Sequence, residues 1–559
     1  MPVSICSSHR YPADPMTRRI LVAVAWPYAS GPLHLGQLGG AYLPPDIFAR
    51  YHRVIGSEVL MVSGSDANGT PITVKAEEMG ITPREVVDTY HPVNVGYWDQ
   101  LGISFDLFTT TMTENHHRVT QDFFIRLLEN GYLVKGSSEQ FYDPEAERFL
   151  PDRYVEGECP HCGYPDARGD QCDNCGRTLD PSDLIKPRSR LSGATPVLRE
   201  TEHYFLDLPA FADRLREWLE GKTTWRKHVK NWALGMIEDV PRRAITRDID
   251  WGVDLPVDDL GPGKKIYVWF DAVIGYLSAA IEWASYTDDP DQWERWWKDP
   301  EAESYYFIGK DNIPFHAVIW PAMLMGRGDL NLPTDIPANQ YITFKGSKAS
   351  KSKGVGRSVG WYTERLEPDA LRYAIASILP EQDDTDLSDD EIIRRVNEEL
   401  VATWGNLVNR VLSISDRNFE GKVPVPGSLT DEDRSILDLG SKTLANVAGH
   451  IEQVELRAGL RAAMGAAGEV NAYLNSTEPW RALKEDPERG GTILWAAIQA
   501  IGAIRIALYP YLPHSTATIG EMLGVGPRVE GWAAPEIVPG TEFGAISPVF
   551  LKLDEDALD

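Results

Sequence analysis

The sequence predicts an α/β protein in which a parallel, Rossmann-type sheet is split by a cysteine-rich insertion and followed by an α-helical bundle. Three observations support this fold class. Apolar runs at residues 20–25 and 58–63 each lead into a polar loop and a helical pattern, the alternation of a doubly wound sheet. Two C-x-x-C pairs interrupt that alternation between residues 159 and 175. Beyond residue 391, apolar residues recur at helical spacing.

Length and charge set the limits of the interpretation. The 559 residues suffice for several domains. The net charge of −28 repels nucleic acids and anionic membranes, so an RNA or phosphate ligand requires a local basic patch. No signal peptide is visible, and the apolar run at 494–512 is interrupted by Gln499 and Arg505, which favours a packed helix over a membrane span. We therefore expect a cytoplasmic protein without a membrane partner.

The pattern divides the chain into seven segments. The parallel sheet occupies two of them, and the remaining segments flank, interrupt or follow it. The predicted boundaries are 1–17 for an N-terminal extension, 18–135 for the first half of the Rossmann domain, 136–245 for the insertion with its knuckle at 159–175, 246–340 for the second half, 341–390 for a lysine-loop region, 391–540 for the helical domain and 541–559 for a tail.

The first strand is predicted at residues 20–25 and ends at Trp26-Pro27. His34 and Gly36 then open a helical pattern, at the carboxyl end of a parallel strand, where ligands bind in such sheets. Free N–H groups at a helix N-terminus favour a phosphate there. A plain helix-capping histidine is the alternative interpretation, so this short motif needs a second site.

A second strand is predicted at residues 58–63, and Asp66 follows at its end. A carboxylate held near apolar walls is a strong anchor for a substrate ammonium group. An Asx-type loop role is about equally consistent with the pattern.

Four of the five cysteines form two pairs, Cys159 with Cys162 and Cys172 with Cys175. Two such pairs provide the four thiolates of a closed, tetrahedral structural zinc site. A disulfide interpretation is weaker because nothing indicates an oxidising compartment. Redox catalysis is weaker still, since two matched pairs favour a metal.

The second half of the sheet is predicted from two further apolar runs. Residues 263–276 are interpreted as a buried strand carrying Trp269 and Asp271 and leading into a helix. A strand at 305–308 is followed by Asp311, suitably placed for a ribose hydroxyl pair. Beyond it, Phe315, His316 and Trp320 lie on a predicted helix, where a plain core role explains the two aromatic residues equally well.

The segment 345–357 carries five basic residues and no acidic residue, a local reversal of the sign of the chain's charge. A Gly/Ser loop with lysines can close on a triphosphate and stabilise the charge of a leaving pyrophosphate. A solvated linker or a non-specific anion patch are the alternatives. No G-x-x-x-x-G-K-[ST] pattern opens a helix here, which excludes a Walker-type loop.

These motifs together carry a family resemblance. H-L-G-Q at 34–37 and K-A-S-K-S at 348–352 are similar to the H-I-G-H and K-M-S-K-S motifs of class I aminoacyl-tRNA synthetases, in the same order and with an insertion between them. The run from Ala25 to Gly36, G-T-P-I-T, the cysteine knuckle, Y-V-W-F-D-A-V-I-G-Y and F-I-G-K-D-N-I-P-F-H resemble the methionyl-tRNA synthetase family. The resemblance implies ATP-dependent ligation of L-methionine to tRNA(Met) through methionyl-adenylate, with release of pyrophosphate and AMP.

The resemblance also implies site residues, position by position. Its catalytic residues would be His34, Gly36, Gln37, Lys348 and Lys351. ATP would be bound by His34, Gly36, Gly309, Asp311, Lys348 and Lys351, with Mg²⁺ accompanying the nucleotide. Methionine would be bound by Trp26, Tyr28, Asp66, Trp269, Tyr276, Phe315, His316 and Trp320. One structural Zn²⁺ per chain would be bound by Cys159, Cys162, Cys172 and Cys175, and the anticodon by Asn406, Arg410 and Trp480 of the helical domain.

Two departures from the family pattern keep alternatives open. Gln37 stands where the family usually has a second histidine, and Ala349 replaces the loop methionine. We expect activity with altered ATP binding. The alternatives are a class I paralogue for another aliphatic amino acid, although its large editing insert is not seen, and a non-catalytic RNA-binding paralogue. Because no appended dimerising module is visible, we expect a monomer.

Overall fold

The computed structural model describes residues 17–169, 172, 174–175, 179–344, 347–348 and 357–559. Its centre is a five-stranded parallel sheet of order β5-β4-β1-β2-β3. The strands are β1 (Arg19–Val24), β2 (Glu58–Ser65), β3 (Leu107–Thr110), β4 (Glu303–Gly309) and β5 (Ala338–Asn339). The predicted α/β class is confirmed, and β1 is the central strand because its apolar side chains are covered on both faces.

Helices return the chain between the first three strands. They are Leu35–Gln37, the π-type turn Leu38–Tyr42, Leu43–Val54, Thr70–Met79, Pro83–Leu101 and, after β3, Glu114–Glu129. The pair Pro44-Pro45 predicts an interruption of the helical pattern, but helix Leu43–Val54 runs through it. Both prolines lie in the first turn of Leu43–Val54, where a helix needs no N–H donor.

The insertion contains two antiparallel sheets. One has the order Arg243–Ala244, Val197–Leu206, Leu133–Asp143, Arg148–Phe149, and the other joins Ala167–Arg168, Val155–Glu158 and Ile185–Ser189 around the cysteines. Helices Ala212–Glu220 and Lys227–Ile237 follow. The sequence over 195–243 predicts mixed helical segments, which is wrong for Val197–Leu206, a strand whose first half is exposed and carries no apolar alternation.

The segment 263–276 corrects another prediction. Only Lys264–Ile266 is extended, pairing with Thr246–Asp248, whereas helix Val268–Ser285 already carries Trp269 and Asp271. Asp271 in the first turn is favourable at a helix N-terminus, and this outweighs the strand preference of the aromatic run. The helix Glu294–Trp297 precedes β4, which leads into the short turn Lys310–Asn312, the π-type turn Phe315–Ile319 and helix Trp320–Arg327.

A small three-stranded sheet connects the parallel sheet to the helical domain. Ile342–Phe344 pairs antiparallel with Ser347–Lys348 and parallel with Thr385–Leu387. The stretch 380–391 has acidic but no basic residues, which predicts a solvated junction, yet it contributes the strand Thr385–Leu387. Helices Val359–Thr363 and Pro368–Ala376 lie between these strands in sequence.

The helical domain is the predicted bundle. Its helices are Asp389–Arg394, Arg395–Gly405, Asn406–Asn418, Asp431–Glu452, Leu456–Thr477, Pro479–Glu485, Pro487–Leu508 and Pro513–Met522. Within the described part of the chain, Pro487–Leu508 alone has the length and apolar composition of a membrane span, yet 89% of its most apolar window is buried inside the protein. It is a core helix, as its interrupting polar residues predict.

The bundle packs directly on the sheet domain. Arg372 is completely buried and donates to Asp46 Oδ2 at 2.7 Å and to the carbonyl of Leu101 at 3.1 Å. It also donates to the carbonyls of Pro510 and Tyr511 at 2.9 and 2.8 Å. One arginine therefore fastens the end of the bundle to the helices that follow β1 and β2.

Candidate active site

The first predicted site lies after β1, at the start of helix Leu35–Gln37. His34 caps this helix: the Gln37 N–H donates to His34 Nδ1, and the His34 N–H donates to Gln37 Oε1, both at 3.3 Å. Capping and phosphate binding are thus compatible, because the cap uses Nδ1 and fixes the ring beside the helix N-terminus. Gln37 holds the backbone of His34 in place from the position of the family's second histidine.

The ends of the lysine-rich segment meet this histidine. A cleft is lined by His34, Leu35, Gly36, Ile342, Thr343, Phe344, Arg357 and Tyr362. A Cβ on Gly36 would lie 3.2 Å from the carbonyl oxygen of Ile342, so a glycine permits this close approach. On the other side, the Val359 N–H donates to the Leu33 carbonyl at 2.7 Å. Of the predicted pyrophosphate residues, the backbone of Lys348 pairs with Thr343, and Lys351 lies outside the described residues.

The second predicted site, Asp66, lies directly after β2 and is buried. Its Oδ1 accepts from the Asn68 N–H at 3.0 Å, and Asn68 Nδ2 donates to Asp271 Oδ2 at 2.6 Å. Burial and the nearby charge of Asp271 hold the pKa of Asp66 well above its usual value, and burial raises the pKa of Asp271 to about 8. The result is a buried acidic pair with strong affinity for a cation.

Aromatic residues surround this pair. The Trp26 ring lies 6.5 Å from the Tyr276 ring, and it is seated against Gly64 and Gly275, where a Cβ would approach the indole to 2.3 and 2.7 Å. The Tyr276 hydroxyl hydrogen-bonds His316 Nε2 at 2.7 Å. His316 Nδ1 lies 3.0 Å from the Asn312 carbonyl, which assigns the proton to Nδ1 and makes Nε2 the acceptor. Burial lowers the pKa of His316 to about 4, so the ring is neutral at pH 7.

A second aromatic group consists of Tyr28, Trp269 and Phe315. Trp269 and Phe315 stack with ring centroids 4.1 Å apart and planes 10° apart, and Tyr28 packs edge-on against Trp269 at 6.4 Å. Tyr28 also forms a bridge with Asp66 across the sheet edge. Trp320 lies one layer further back, with its indole N–H donating to the Tyr306 hydroxyl at 3.1 Å. The predicted methionine-binding residues thus form two contact groups, Trp26 with Tyr276 and His316, and Asp66 with Tyr28, Trp269 and Phe315, while Trp320 contacts the Tyr276 neighbour Tyr306.

The predicted ribose site lies after β4. Gly309 ends this strand, and a Cβ there would meet no atom within 4 Å. Asp311, in the following turn, accepts a short hydrogen bond from the Tyr341 hydroxyl. Lys310 pairs with Asp384 at 2.7 Å and lies 4.0 Å from the centre of the Tyr341 ring. β1, β2 and β4 are neighbours, so His34, Asp66 and Asp311 follow the carboxyl ends of three adjacent parallel strands.

The four cysteines are close enough to bind one metal ion. Their Sγ atoms lie within 4.8 Å of one another, with 3.9 Å between Cys159 and Cys175 and 3.6 Å between Cys162 and Cys172. Tetrahedral thiolates at the usual zinc–sulfur distance are about 3.8 Å apart. The Asn174 amide lowers the pKa of the Cys162 thiol to about 6, whereas burial raises that of Cys172 to about 11. A bound dication would reverse the effect of burial on Cys172.

The predicted anticodon residues form a patch on the bundle surface. Arg410 lies with its guanidinium carbon 5.8 Å from the centre of the Trp480 ring and donates to Asn471 Oδ1 at 2.8 Å. Trp480 is 39% exposed, and Asn406 is exposed one turn before Arg410 on the same helix. An exposed indole beside an arginine can stack with a base.

Several site residues are missing from the sequence prediction. Asp271 is noted there without a role, and Asn68, Gly64, Gly275 and Tyr341 are not singled out. Asp271 and Asn68 lie 203 positions apart, so no local pattern links them. Of these residues, only Gly64 and Gly275 could have been recognised from the sequence. Each lies within an apolar element, where a glycine permits the close approach of another side chain.

Comparisons with known proteins agree with this arrangement. A family model described as tRNA synthetases class I (M) matches residues 20–412, and one described as the anticodon binding domain of methionyl tRNA ligase matches residues 423–559. The methionine--tRNA ligase of Roseiflexus castenholzii is 49% identical to this chain, and the match covers 97% of each chain. The methionine--tRNA ligase of Thermomicrobium roseum is 50% identical, and the match covers 97% of this chain and 98% of the relative. Among solved structures, Mycobacterium tuberculosis methionyl-tRNA synthetase bound by methionyl-adenylate is similar with a TM-score of 0.79 and 26% identity, covering 96% of this chain and 100% of that chain.

Proposed function

This chain belongs to the methionyl-tRNA synthetase family of class I, and from that premise we infer that it ligates methionine to tRNA in an ATP-dependent reaction. One observation carries the inference beyond family membership. A buried acidic pair with aromatic neighbours follows β2, and the His34 cleft follows the adjacent strand β1, so both lie at the carboxyl edge of the parallel sheet. Methionine activation requires three binding sites: one for the ammonium group, one for the apolar thioether and one for the ATP phosphates.

Asp66 is proposed to bind the methionine ammonium group. The acidic pair is buried, so its attraction for a cation is much stronger than that of a surface carboxylate. The thioether would lie against Tyr276 and neutral His316, with Trp26, Tyr28, Trp269, Phe315 and Trp320 as the surrounding wall. Sulfur–aromatic contacts favour a thioether over an alkyl chain of the same length.

ATP is proposed to bind at the His34 cleft. His34 and the N–H groups after it would contact the phosphates, Gly36 would admit the adenine, and Gly309 and Asp311 would contact the ribose. Gln37 would keep His34 in position through the capping contacts. Lys348 and Lys351, on the segment whose ends reach this cleft, would stabilise the leaving pyrophosphate. Mg²⁺ bound to ATP would neutralise part of the phosphate charge.

The reaction requires no protein nucleophile. The methionine carboxylate attacks the α-phosphate, forming methionyl-adenylate and releasing pyrophosphate, and a terminal tRNA hydroxyl then takes the acyl group and releases AMP. The protein's part is positioning and charge stabilisation. Asp66 would hold the attacking molecule, and His34 and Lys351 would stabilise negative charge on opposite sides of the phosphate chain.

The remaining sites are assigned by the same proposal. Cys159, Cys162, Cys172 and Cys175 would bind one structural Zn²⁺, since their sulfur separations fit a tetrahedral thiolate site. Asn406, Arg410 and Trp480 would bind the anticodon of tRNA(Met). The protein would act in the cytoplasm as a monomer, which size-exclusion chromatography with light scattering would test.

Amino-acid-dependent exchange of labelled pyrophosphate into ATP tests this function. Methionine should support exchange and isoleucine, valine and leucine should not. Exchange with isoleucine alone would instead indicate a paralogue for another aliphatic amino acid. No exchange with any amino acid, combined with retained tRNA binding, would indicate a non-catalytic RNA-binding protein.

A further inference from the structure

Asp271 is a buried carboxylate that belongs to the acidic pair but has no role of its own in the mechanism above. Its side chain is completely buried, and its Oδ1 atom has no well-aligned hydrogen-bond partner among the described residues, although the backbone N–H groups of Asp271 and Ala272 partly stabilise the carboxylate. Its other oxygen accepts from Asn68 at 2.6 Å and lies 3.8 Å from His116 Nε2. An unpartnered buried carboxylate oxygen is costly, so it calls for a functional explanation.

Asn68 joins Asp271 to the ammonium anchor. Its backbone N–H donates to Asp66 and its side chain donates to Asp271, so one residue holds both carboxylates. Neither carboxylate forms an ion pair with a lysine or arginine in the described part of the chain. Two buried acids linked in this way cannot both ionise without a cation, because their charges repel each other and water does not screen them.

The neighbouring titratable groups do not provide that cation. His116 is held by Ser278 at 2.9 Å and Thr120 at 3.3 Å, and burial lowers its pKa to about 3, which leaves it neutral at pH 7. The other titratable or charged groups near the pair or its neighbours are Tyr28, Tyr267, Tyr276, Glu282 and Arg153. The charge of Arg153 acts on Tyr28 but is not among the causes that shift the pKa of Asp66 or Asp271. The hydroxyls of Tyr28 and Tyr276 are neutral at pH 7, since burial raises the pKa of both well above 10.

We propose that Asp271 is a positioning residue that makes the acidic pair a proton-exchange site: the pair retains a proton until the substrate ammonium enters and then releases it to solvent. This inference rests on the proposed function, because it requires Asp66 to face the ammonium group. The exchange is balanced, since one positive charge enters the buried site and one proton leaves it. No other bond changes.

The exchange has a measurable consequence for affinity. When binding releases one proton, the association constant rises up to about tenfold per pH unit while the free protein still holds that proton. Because burial raises the pKa of Asp271 to about 8, the affinity should rise between pH 6 and pH 8 and then level off. A site with an already ionised Asp66 would bind the same ligand equally well over that range.

Methioninol is the suitable probe, because it keeps the ammonium group and the thioether but lacks the carboxylate. Calorimetric titrations at pH 7 in phosphate and in Tris give the number of protons released, since these buffers differ in ionisation enthalpy. We expect the full chain to release roughly 0.5–1 proton per methioninol bound. Asp271→Asn, which keeps the shape of the side chain, should reduce that number by half or more.

A matched control is Asp369→Asn. Asp369 is also buried and also has an Oδ1 atom without a hydrogen-bond partner in the described residues, but it lies against Ser515 in the bundle contact. This variant should release as many protons as the unmodified chain. If Asp271→Asn does not fold, the rise in methioninol affinity of the unmodified chain from pH 6 to pH 8 still tests the proposal.

Two results would overturn the inference: methioninol binding by the unmodified chain without proton release or pH dependence, or equal proton release by the unmodified chain and Asp271→Asn. Failure of the proposed function is distinguishable from both. In that case methionine does not support pyrophosphate exchange at any pH and methioninol does not bind.

Discussion

The proposed methionine pocket and the proposed anticodon patch would recognise their ligands in opposite physical ways. Around Asp66 the recognition groups are buried and locked to one another, as in the 2.7 Å contact of Tyr276 with His316. On the bundle, Trp480 is 39% exposed and Arg410 lies 5.8 Å from its ring centre. A small ligand that enters a buried, preorganised site experiences strong electrostatics, whereas a large polyanion meets a solvated surface. Substitutions in the pocket should therefore cost far more than substitutions in the patch.

The largest effect is expected for Asp66→Asn. Removing one partner of a buried charge pair costs about 3–5 kcal/mol, so kcat/KM for methionine in pyrophosphate exchange should fall about 10³-fold. Asp369→Asn is the control, because it removes a buried carboxylate outside the pocket. A loss below tenfold in Asp66→Asn would mean that the ammonium group is bound elsewhere.

Lys351→Ala should separate an effect on the rate of adenylate formation from an effect on methionine binding. One charged donor to a leaving group contributes about 10²–10³ to the rate, so kcat for adenylate formation should fall by that factor while the methionine KM changes little. Lys353→Ala removes the same charge two positions away and should have a smaller effect. An unchanged rate in Lys351→Ala would remove this lysine from the mechanism.

Trp480→Ala tests the exposed region. Stacking on an indole contributes about 1–3 kcal/mol per base, so tRNA charging should lose about 5–150-fold in kcat/KM while pyrophosphate exchange is retained. Trp232→Ala is the control, since this tryptophan is 44% exposed on a helix of the insertion. Equal losses in charging and exchange would contradict a separate anticodon site.

Loss of zinc should lower pyrophosphate exchange and tRNA charging less than these substitutions do. Elemental analysis is expected to find about one zinc per chain, and Cys162→Ser should lose it, because three thiolates no longer close the tetrahedron. Cys6→Ser should retain the metal, since Cys6 lies outside the two pairs. Full zinc content in Cys162→Ser would contradict the assignment.

The smallest expected effect is that of Gln37→Ala. It removes the acceptor of the His34 N–H hydrogen bond, which is worth about 0.5–1.5 kcal/mol, so adenylate formation should slow by about 2–12-fold. Gln37→Glu keeps the acceptor but adds a negative charge beside the proposed phosphate site, so it should lose more. Equal rates for Gln37→Ala and the unmodified chain would show that the cap does not position His34.

Features that depend on local sequence patterns could be predicted, whereas features that depend on contacts between distant residues could not. The parallel sheet, the family and the helical bundle follow from local periodicity and motifs, and these predictions are confirmed. The strand Val197–Leu206 and the helical position of Asp271 were missed, because the first is half exposed and the second depends on packing against distant residues. The pairing of Asp271 with Asn68 belongs to the same class, since it joins two elements far apart in sequence.

The acidic pair is the central part of the proposed mechanism, because it would bind the ammonium group. A crystal structure of the full chain with bound methionine tests it directly. We expect the ammonium nitrogen to lie within hydrogen-bond distance of an Asp66 oxygen and the sulfur atom to lie beside Tyr276 and His316. Methionine bound with its ammonium group away from Asp66 and Asp271, or its sulfur outside the aromatic volume, would contradict it.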